Sequence, residues 1–225
     1  MKKIKKIILV AGEESGDMYA KNIINNLSKH NHIKFYGMGS THMHDTKAEI
    51  IVNSSELSVI GFIEIFKIYP KLKSALNKMK NSITTIKPDL LVLIDYQEFN
   101  MKLARYAKKN GIKVLFYISP QVWAWRENRI KNIKKSVDEM AVIFPFEKNY
   151  YNKLGVNATY VGHPLVENNL YKKKYHNNYK YIGFFPGSRL NEVKKHIPII
   201  KSVIEKYHKK YPLEKFLISC SSNIN

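Results

Sequence analysis

Leu90-Leu91-Val92-Leu93-Ile94 is an unbroken apolar run that stops at a carboxylate, Asp95, and then at the polar sequence Tyr96-Gln97-Glu98-Phe99-Asn100. A run this short, fully apolar and rich in branched side chains fits a strand buried on both faces. Six other such runs are spaced along the first 166 residues, at 6–11, 33–36, 50–52, 114–118, 139–143 and 158–161. Amphipathic stretches at 17–29, 62–87, 101–110, 126–136 and 146–154 separate them and predict helices. Gly111 stands where a helix would stop, and Lys87-Pro88-Asp89 ends one helix and opens a strand. Strands alternating with helices predict an α/β fold built on a doubly wound parallel sheet. In such a sheet the carboxyl ends of the strands line one crevice, where ligands bind.

The βα rhythm breaks after Pro164. Residues 167–180 are rich in Asn, Lys and Tyr, lack an apolar face and read as a linker. A strand at 181–185, the turn Pro186-Gly187-Ser188-Arg189, a helix at 191–210 and a strand at 215–219 follow. Three elements cannot bury their own apolar faces. The expected organisation is a first domain over 1–166, a linker over 167–180, and the beginning of a second, incomplete domain over 181–225.

Charge and cysteine content narrow the classes. The 225 residues hold 38 basic and 18 acidic side chains, a formal net charge of +20. Such a surface attracts polyanions, whether nucleic acid or an anionic membrane face; the alternative is compositional drift, since Lys far outnumbers Arg and Asn and Ile abound. The basic residues are spread along the chain, which argues against a nucleic-acid module. Cys220 is the only cysteine, which excludes an intramolecular disulfide and a cysteine zinc site. The basic start leads into an apolar run too short for a signal peptide, and no stretch has the length of a membrane span.

Polar and aromatic residues cluster at the predicted strand ends. Gly12-Glu13-Glu14-Ser15-Gly16-Asp17 joins the first strand to the first helix, with Ser15 or Asp17 as candidate caps and the helix start as an anion site. It matches neither a dinucleotide fingerprint nor a P-loop. Residues 58–65, Ser58-Val59-Ile60-Gly61-Phe62-Ile63-Glu64-Ile65, are either core or the apolar mouth of a lipid site. Asp95 is either a partly desolvated base or the cap of the next helix, a role Asn100 could also fill; Asn100 and Gly16 are also expected, with Glu13 and Ser15, among the substrate-binding residues. Trp123 and Trp125, beside Arg126 and Arg129, offer a flat face with a cation, suited to a sugar, a nucleobase or a phosphorylated headgroup. His163 sits in the tight Gly162-His163-Pro164 turn, with no second histidine at metal-ligand spacing. Gly187, Ser188 and Arg189 combine helix-start amides with a guanidinium, a candidate diphosphate site.

Taken in order, Gly12-Glu-Glu-Ser-Gly-Asp17, Asp95 to Phe99-Asn100, Ser119-Pro-Gln-Val-Trp-Ala-Trp-Arg126, Phe144-Pro-Phe-Glu147, Gly162-His-Pro164 and Pro186-Gly-Ser-Arg189 resemble the lipid-A-disaccharide synthases, and the resemblance runs from Lys6 to the last residues. It implies an inverting glycosyltransferase of the GT-B type, with two Rossmann-like domains facing across a cleft and the second cut short here. The implied reaction joins UDP-2,3-diacylglucosamine to 2,3-diacylglucosamine 1-phosphate (lipid X), giving a β-1,6 tetraacyl disaccharide 1-phosphate and UDP, without metal or cofactor. It implies Asp95 as the general base, Arg189 near the donor diphosphate, and Glu13 and Ser15 on the turn facing the cleft. It also implies work at the cytoplasmic face of a Gram-negative inner membrane, as a peripheral protein on an anionic surface. No nucleic acid is expected, and self-association into a homo-oligomer stays open.

The family pattern Asp-x-Pro-Asp-Phe-Asn reads Asp95-Tyr96-Gln97-Glu98-Phe99-Asn100 here, so the first aspartate is kept while the proline is lost. These 225 residues alone are expected to transfer little, because the nucleotide-sugar domain is short. The alternatives are another GT-B UDP-sugar enzyme, which as an epimerase would need further cleft carboxylates, or a non-catalytic basic fragment binding membrane or nucleic acid.

Overall fold

Alternate residues of the first strand, β1 (Lys5–Ala11), go to opposite faces of one sheet. Ile8 and Val10 join one core cluster, while Ile7, Leu9 and Ala11 join the other. The apolar run 90–94, strand β4 (Leu90–Ile94), divides the same way: Leu91 and Leu93 lie on one face, Val92 and Ile94 on the other. This is why whole runs, and not alternate positions, are apolar. The structure, a computed structural model, describes residues 3–57, 64–166, 181–187 and 190–220. The expected linker, residues 58–63, and the turn residues Ser188 and Arg189 lie outside the described residues.

The other strands of the sheet are β2 (Ile33–Gly39), β3 (Glu49–Asn53), β5 (Lys113–Tyr117), β6 (Glu139–Val142) and β7 (Ala158–Tyr160). All seven are parallel, in the order β3-β2-β1-β4-β5-β6-β7. The chain steps one way from β1 to β3 and the other way from β4 onward. Right-handed crossovers therefore put helices on opposite faces in the two halves. Helices α1 (Glu14–Leu27) and α2 (Thr41–His44) cover one face through Ala20, Ile24 and Met43. Helices α3 (Glu64–Ile86), α4 (Gln97–Lys109), α5 (Ile130–Ser136) and α6 (Pro145–Lys153) cover the other, through residues such as Met79, Leu103, Ile133 and Tyr151.

The predicted strands all form, and the sheet is the doubly wound parallel type expected. The helix starts differ from expectation. α1 begins at Glu14, not at residue 17, and Glu13 is its N-cap with no side-chain cap bond. Asp17 is fully buried and caps a different helix: its carboxylate accepts bonds from Ser40 N, Ser40 Oγ and His42 N at 2.8 Å each, and from Met43 N at 3.3 Å. That bond set holds α2, which the sequence reading missed, and Gly39 permits it, since a Cβ there would overlap Asp17 and Met43. α4 begins at Gln97, so Asn100 lies inside its first turn and is not the cap. Asp95 is no cap either, because the N-cap position falls on Tyr96. α5 starts at Ile130 after a 3-10 turn, Glu127–Arg129.

The described residues fall into two compact units, one built on β1 to β7 and one on the remaining elements. The second comprises β8 (Tyr181–Phe184), α7 (Leu190–Lys210) and β9 (Lys215–Ile218), with β8 and β9 paired in parallel. No residue of α7 is buried, and Ile199 and Leu217 are exposed.

Candidate functional site

The strand order reverses between β1 and β4, and there the crevice of a doubly wound sheet opens. Register decides what lines it. Ala11 pairs with Ile94, so the two strands end level and Gly12 emerges beside Asp95. A Cβ at Gly12 would overlap the ring of Tyr96, so only glycine lets the turn after β1 lie against the turn after β4. Asp95 and Tyr96 both take left-handed backbone conformations, with φ of 47° and 41°. Ile118 and Arg126, at the ends of neighbouring segments, do so too, with φ of 65° and 64°. Of the five such non-glycine residues described, only Lys87 lies away from this edge. Backbone strain of this kind, on the order of 1–3 kcal/mol per residue, collects at functional sites.

Asn100 holds the strained turn. It is fully buried, and its Nδ2 donates to Ile94 O at 3.2 Å and to Asp95 O at 2.8 Å. The side chain grips the backbone on both sides of the strand end, so its geometry is that of a positioning residue and not of a substrate contact. Asn100→Ala should lower stability by about 1–3 kcal/mol, the range for losing such buried bonds. Chemical denaturation checks this; an unchanged midpoint contradicts it.

The electrostatics of the crevice converge on Asp95. Burial, followed by the nearby Glu13 charge, raises its pKa, and the backbone N–H of Tyr96 opposes the shift. Tyr96 is raised by burial and by Glu13, and Tyr19 by burial and by Asp95. Glu13, Tyr19, Asp95 and Tyr96 are thus electrostatic neighbours at the switch point. The sequence reading singled out Glu13 and Asp95 but not the two tyrosines, which carry no signal beyond sitting next to them. Ser15 is exposed in the first turn of α1. Gly16 is buried, and its Cα side faces Ala11 and Ile94, where an added Cβ would meet ordinary contacts at 3.5 Å. It packs α1 onto the sheet and does not reach the crevice surface.

Beside this turn a cavity of about 150 Å³ opens among Gln97, Glu98, Gln121, Trp125, Arg126 and Arg129. Glu98 Oε1 receives both guanidinium groups, Arg126 Nη1 at 3.3 Å and Arg129 Nη2 in closer contact. Trp125 is 71 % exposed at the rim. Trp123 is turned differently. Its Nε1 donates to Glu147 Oε1 at 3.2 Å, and its ring meets Phe146 edge-on at 5.0 Å. Phe146 stacks on Phe144 at 5.9 Å, and Phe144 approaches His163 at 5.8 Å. A partly exposed aromatic row therefore runs along the ends of β5, β6 and β7. His163 Nδ1 accepts the Leu165 N–H at 3.3 Å, which fixes its ring in the turn.

Glu147 underlies that row. It is 1 % exposed, and its carboxylate accepts from Ser119 Oγ at 2.7 Å, Trp123 Nε1 at 3.2 Å and Phe144 N at 3.1 Å. The sequence reading noted Glu147 only as part of a motif. A glutamate three residues into a helix, opposite a serine on the neighbouring strand end, was the available signal. The described part of the second unit includes Gly187, with φ of 116°, after Pro186, whose carbonyl lies 2.7 Å from His196 Nδ1. Among the described residues no group of three acidic, histidine or cysteine side chains could hold a metal, and no helix is long and apolar enough to cross a membrane.

Known proteins share both the sequence and the fold. Solved structures with the same fold include UDP-GlcNAc 2-epimerase from Neisseria meningitidis bound to UDP-GlcNAc, with a TM-score of 0.66 and 14 % identity, covering 97 % of this chain and 66 % of that one. A glycotransferase of kitacinnamycin matches with a TM-score of 0.60 and 12 % identity, covering 100 % of this chain and 68 % of that one. In sequence, the lipid-A-disaccharide synthase of Geobacter metallireducens is 40 % identical, with 98 % of this chain and 60 % of that protein covered. Lipid-A-disaccharide synthase 1 of Legionella pneumophila (strain Paris) is 38 % identical, with 100 % and 62 % covered. The chain thus spans about 60 % of the length of these curated relatives. The family model described as lipid-A-disaccharide synthetase matches residues 7–224, and the chain belongs to that family.

Proposed function

We propose that the protein carrying this chain transfers the diacylglucosaminyl group of UDP-2,3-diacylglucosamine to the 6-hydroxyl of lipid X, with inversion at the anomeric carbon. The Asp95 carboxylate takes the hydroxyl proton as the oxygen attacks, and the sugar–diphosphate bond breaks to release UDP. The observation that carries this reading is the strained, half-buried Asp95 at the sheet's switch point, whose pKa burial and then Glu13 raise above the ordinary carboxylate value. A base is most effective when its pKa lies near the working pH.

In this reading residues 1–166 form the acceptor and lipid domain. Glu13 tunes Asp95, and Ser15 offers a polar contact at the crevice. Trp123, Trp125, Arg126 and His163 line the acceptor side. Asn100 and Gly16 support the turn and the helix from beneath. The donor diphosphate lies against Gly187, Ser188 and Arg189 in the domain that starts near residue 181. The peripheral membrane partner is an anionic inner-face surface. A groove of about 570 Å³ lined by Lys80, Lys102, Arg105, Lys108, Lys109 and Lys135 supports that partner. These residues are scattered in sequence, and the fold gathers them on the helices.

The test is an assay of the whole protein with UDP-2,3-diacylglucosamine and lipid X, read by mass spectrometry. Formation of the tetraacyl disaccharide 1-phosphate with equimolar UDP is expected. Release of UDP without disaccharide, or no reaction from folded protein, overturns the reading.

A further inference from the structure

We propose that Arg126 and Arg129 form a phosphomonoester site on the acceptor side of the crevice, with Glu98 as an internal counter-anion that the phosphate displaces. The proposal rests on the acceptor reading above and names the residues that hold the acceptor's phosphate. Three features of the cavity carry it. The first is charge. Two guanidinium groups share one carboxylate oxygen, Glu98 Oε1, so a positive charge is left over. A phosphomonoester, with a charge near −2 and three acceptor oxygens, satisfies both arginines at once.

The second feature is exchange. The side chains of Glu98 and Arg126 are 69 % and 63 % exposed, and ion pairs that wet are weak. Glu98 can swing into solvent at little cost. Arg129 is the more buried of the two arginines, its side chain 26 % exposed, and supplies the fixed point of the site.

The third feature is shape. The cavity of about 150 Å³ holds a tetrahedral phosphate, and the amides of Gln97 and Gln121 offer neutral donors on its wall. The indole of Trp125 stands at the rim, where it can flank the sugar that bears the phosphate. Arg126 reaches this position from a left-handed backbone conformation, a strain that recurs at Asp95 and Tyr96. Asp95 lies in the turn between β4 and α4 and Glu98 in the first turn of α4, so a phosphate seated on the arginines places its sugar toward the base.

Calorimetric titration of the full 225-residue chain with glucosamine 1-phosphate, and with glucosamine as the phosphate-free control, tests this. The sugar phosphate should bind roughly tenfold or more tightly than glucosamine. The double variant R126A/R129A should erase that difference. E98Q should tighten sugar-phosphate binding, because the competing carboxylate is gone. Thermal melts confirm that these surface variants fold. No detectable sugar-phosphate binding, equal binding by the double variant, or weaker binding by E98Q overturns the proposal. The outcomes separate from those of the transferase assay. The binding pattern without disaccharide formation retains the arginine site and removes the transferase reading. Disaccharide formation with an unchanged KM for lipid X in the double variant removes the arginine site alone.

Discussion

Asp95→Asn should lower the turnover of the whole protein by on the order of 10²–10⁴, the usual loss for a general base, while leaving the fold at least as stable. The two halves of this expectation have separate causes. Asn cannot take the acceptor proton, so chemistry fails. Stability follows from the linkage sign. The pKa of Asp95 is raised in the folded protein by burial and by Glu13. Between the ordinary carboxylate pKa and that raised value the folded state binds more protons than the unfolded one. Stability therefore falls as pH rises through that window, and the cost is fully present above it. Asn removes the charge and with it the cost. It also tolerates the left-handed conformation, φ 47°, better than most residues. Initial rates and thermal melts at neutral pH check both halves. Near-normal turnover by a folded variant removes Asp95 from the base role, and a large drop in melting temperature contradicts the linkage argument.

Glu147→Ala should cost about 3 kcal/mol of stability, since hydrogen bonds to a charged group are worth about 1.5–3 kcal/mol each and are not additive. Three donors lose their acceptor together: Ser119 Oγ, Trp123 Nε1 and Phe144 N. The loss frees the Trp123 ring and loosens the start of α6 at the same time. Urea denaturation reports the stability change, and tryptophan fluorescence reports the indole. A variant with an unchanged midpoint and spectrum would show that the network is slack. Glu147→Gln keeps the shape and the acceptor oxygen, so its loss should be the smaller of the two.

The sheet was legible because its strands are buried on both faces. Leu90-Leu91-Val92-Leu93-Ile94 has no polar residue to mislead an assignment, and Gly111 and Pro88 mark helix boundaries by backbone chemistry alone. The same logic put the 12–17 turn, Asp95 and Trp123 at one edge, since parallel strands end on the same side. What the sequence hid were long-range partners of polar groups. Asp17 looks like the cap of its own helix, yet its carboxylate serves Ser40, His42 and Met43 across the turn after β2. Asn100 looks like a cap or a substrate contact, yet it is buried on the carbonyls of Ile94 and Asp95. Both choices depend on which backbone groups the fold leaves unpaired, a quantity no local pattern contains. Tyr96 carries no local signal for a related reason. Its role comes from lying over Gly12, more than 80 residues earlier in the chain.

Asp95, tuned by burial and by Glu13, is the proposed base. The pH dependence of kcat/KM for the whole protein, measured beside Glu13→Gln, tests this most directly, because kcat/KM reports the pKa values of the free enzyme. A base works as its anion, so kcat/KM should rise with pH along an acid limb set by Asp95. Because burial and then Glu13 raise that pKa, the limb should lie above the ordinary carboxylate range. Removing the Glu13 charge lowers the pKa, so the limb of Glu13→Gln should move to lower pH, and added salt should move the wild-type limb the same way by screening Glu13. A limb that stays in place in Glu13→Gln, or that lies within the ordinary carboxylate range in the wild type, would contradict the account.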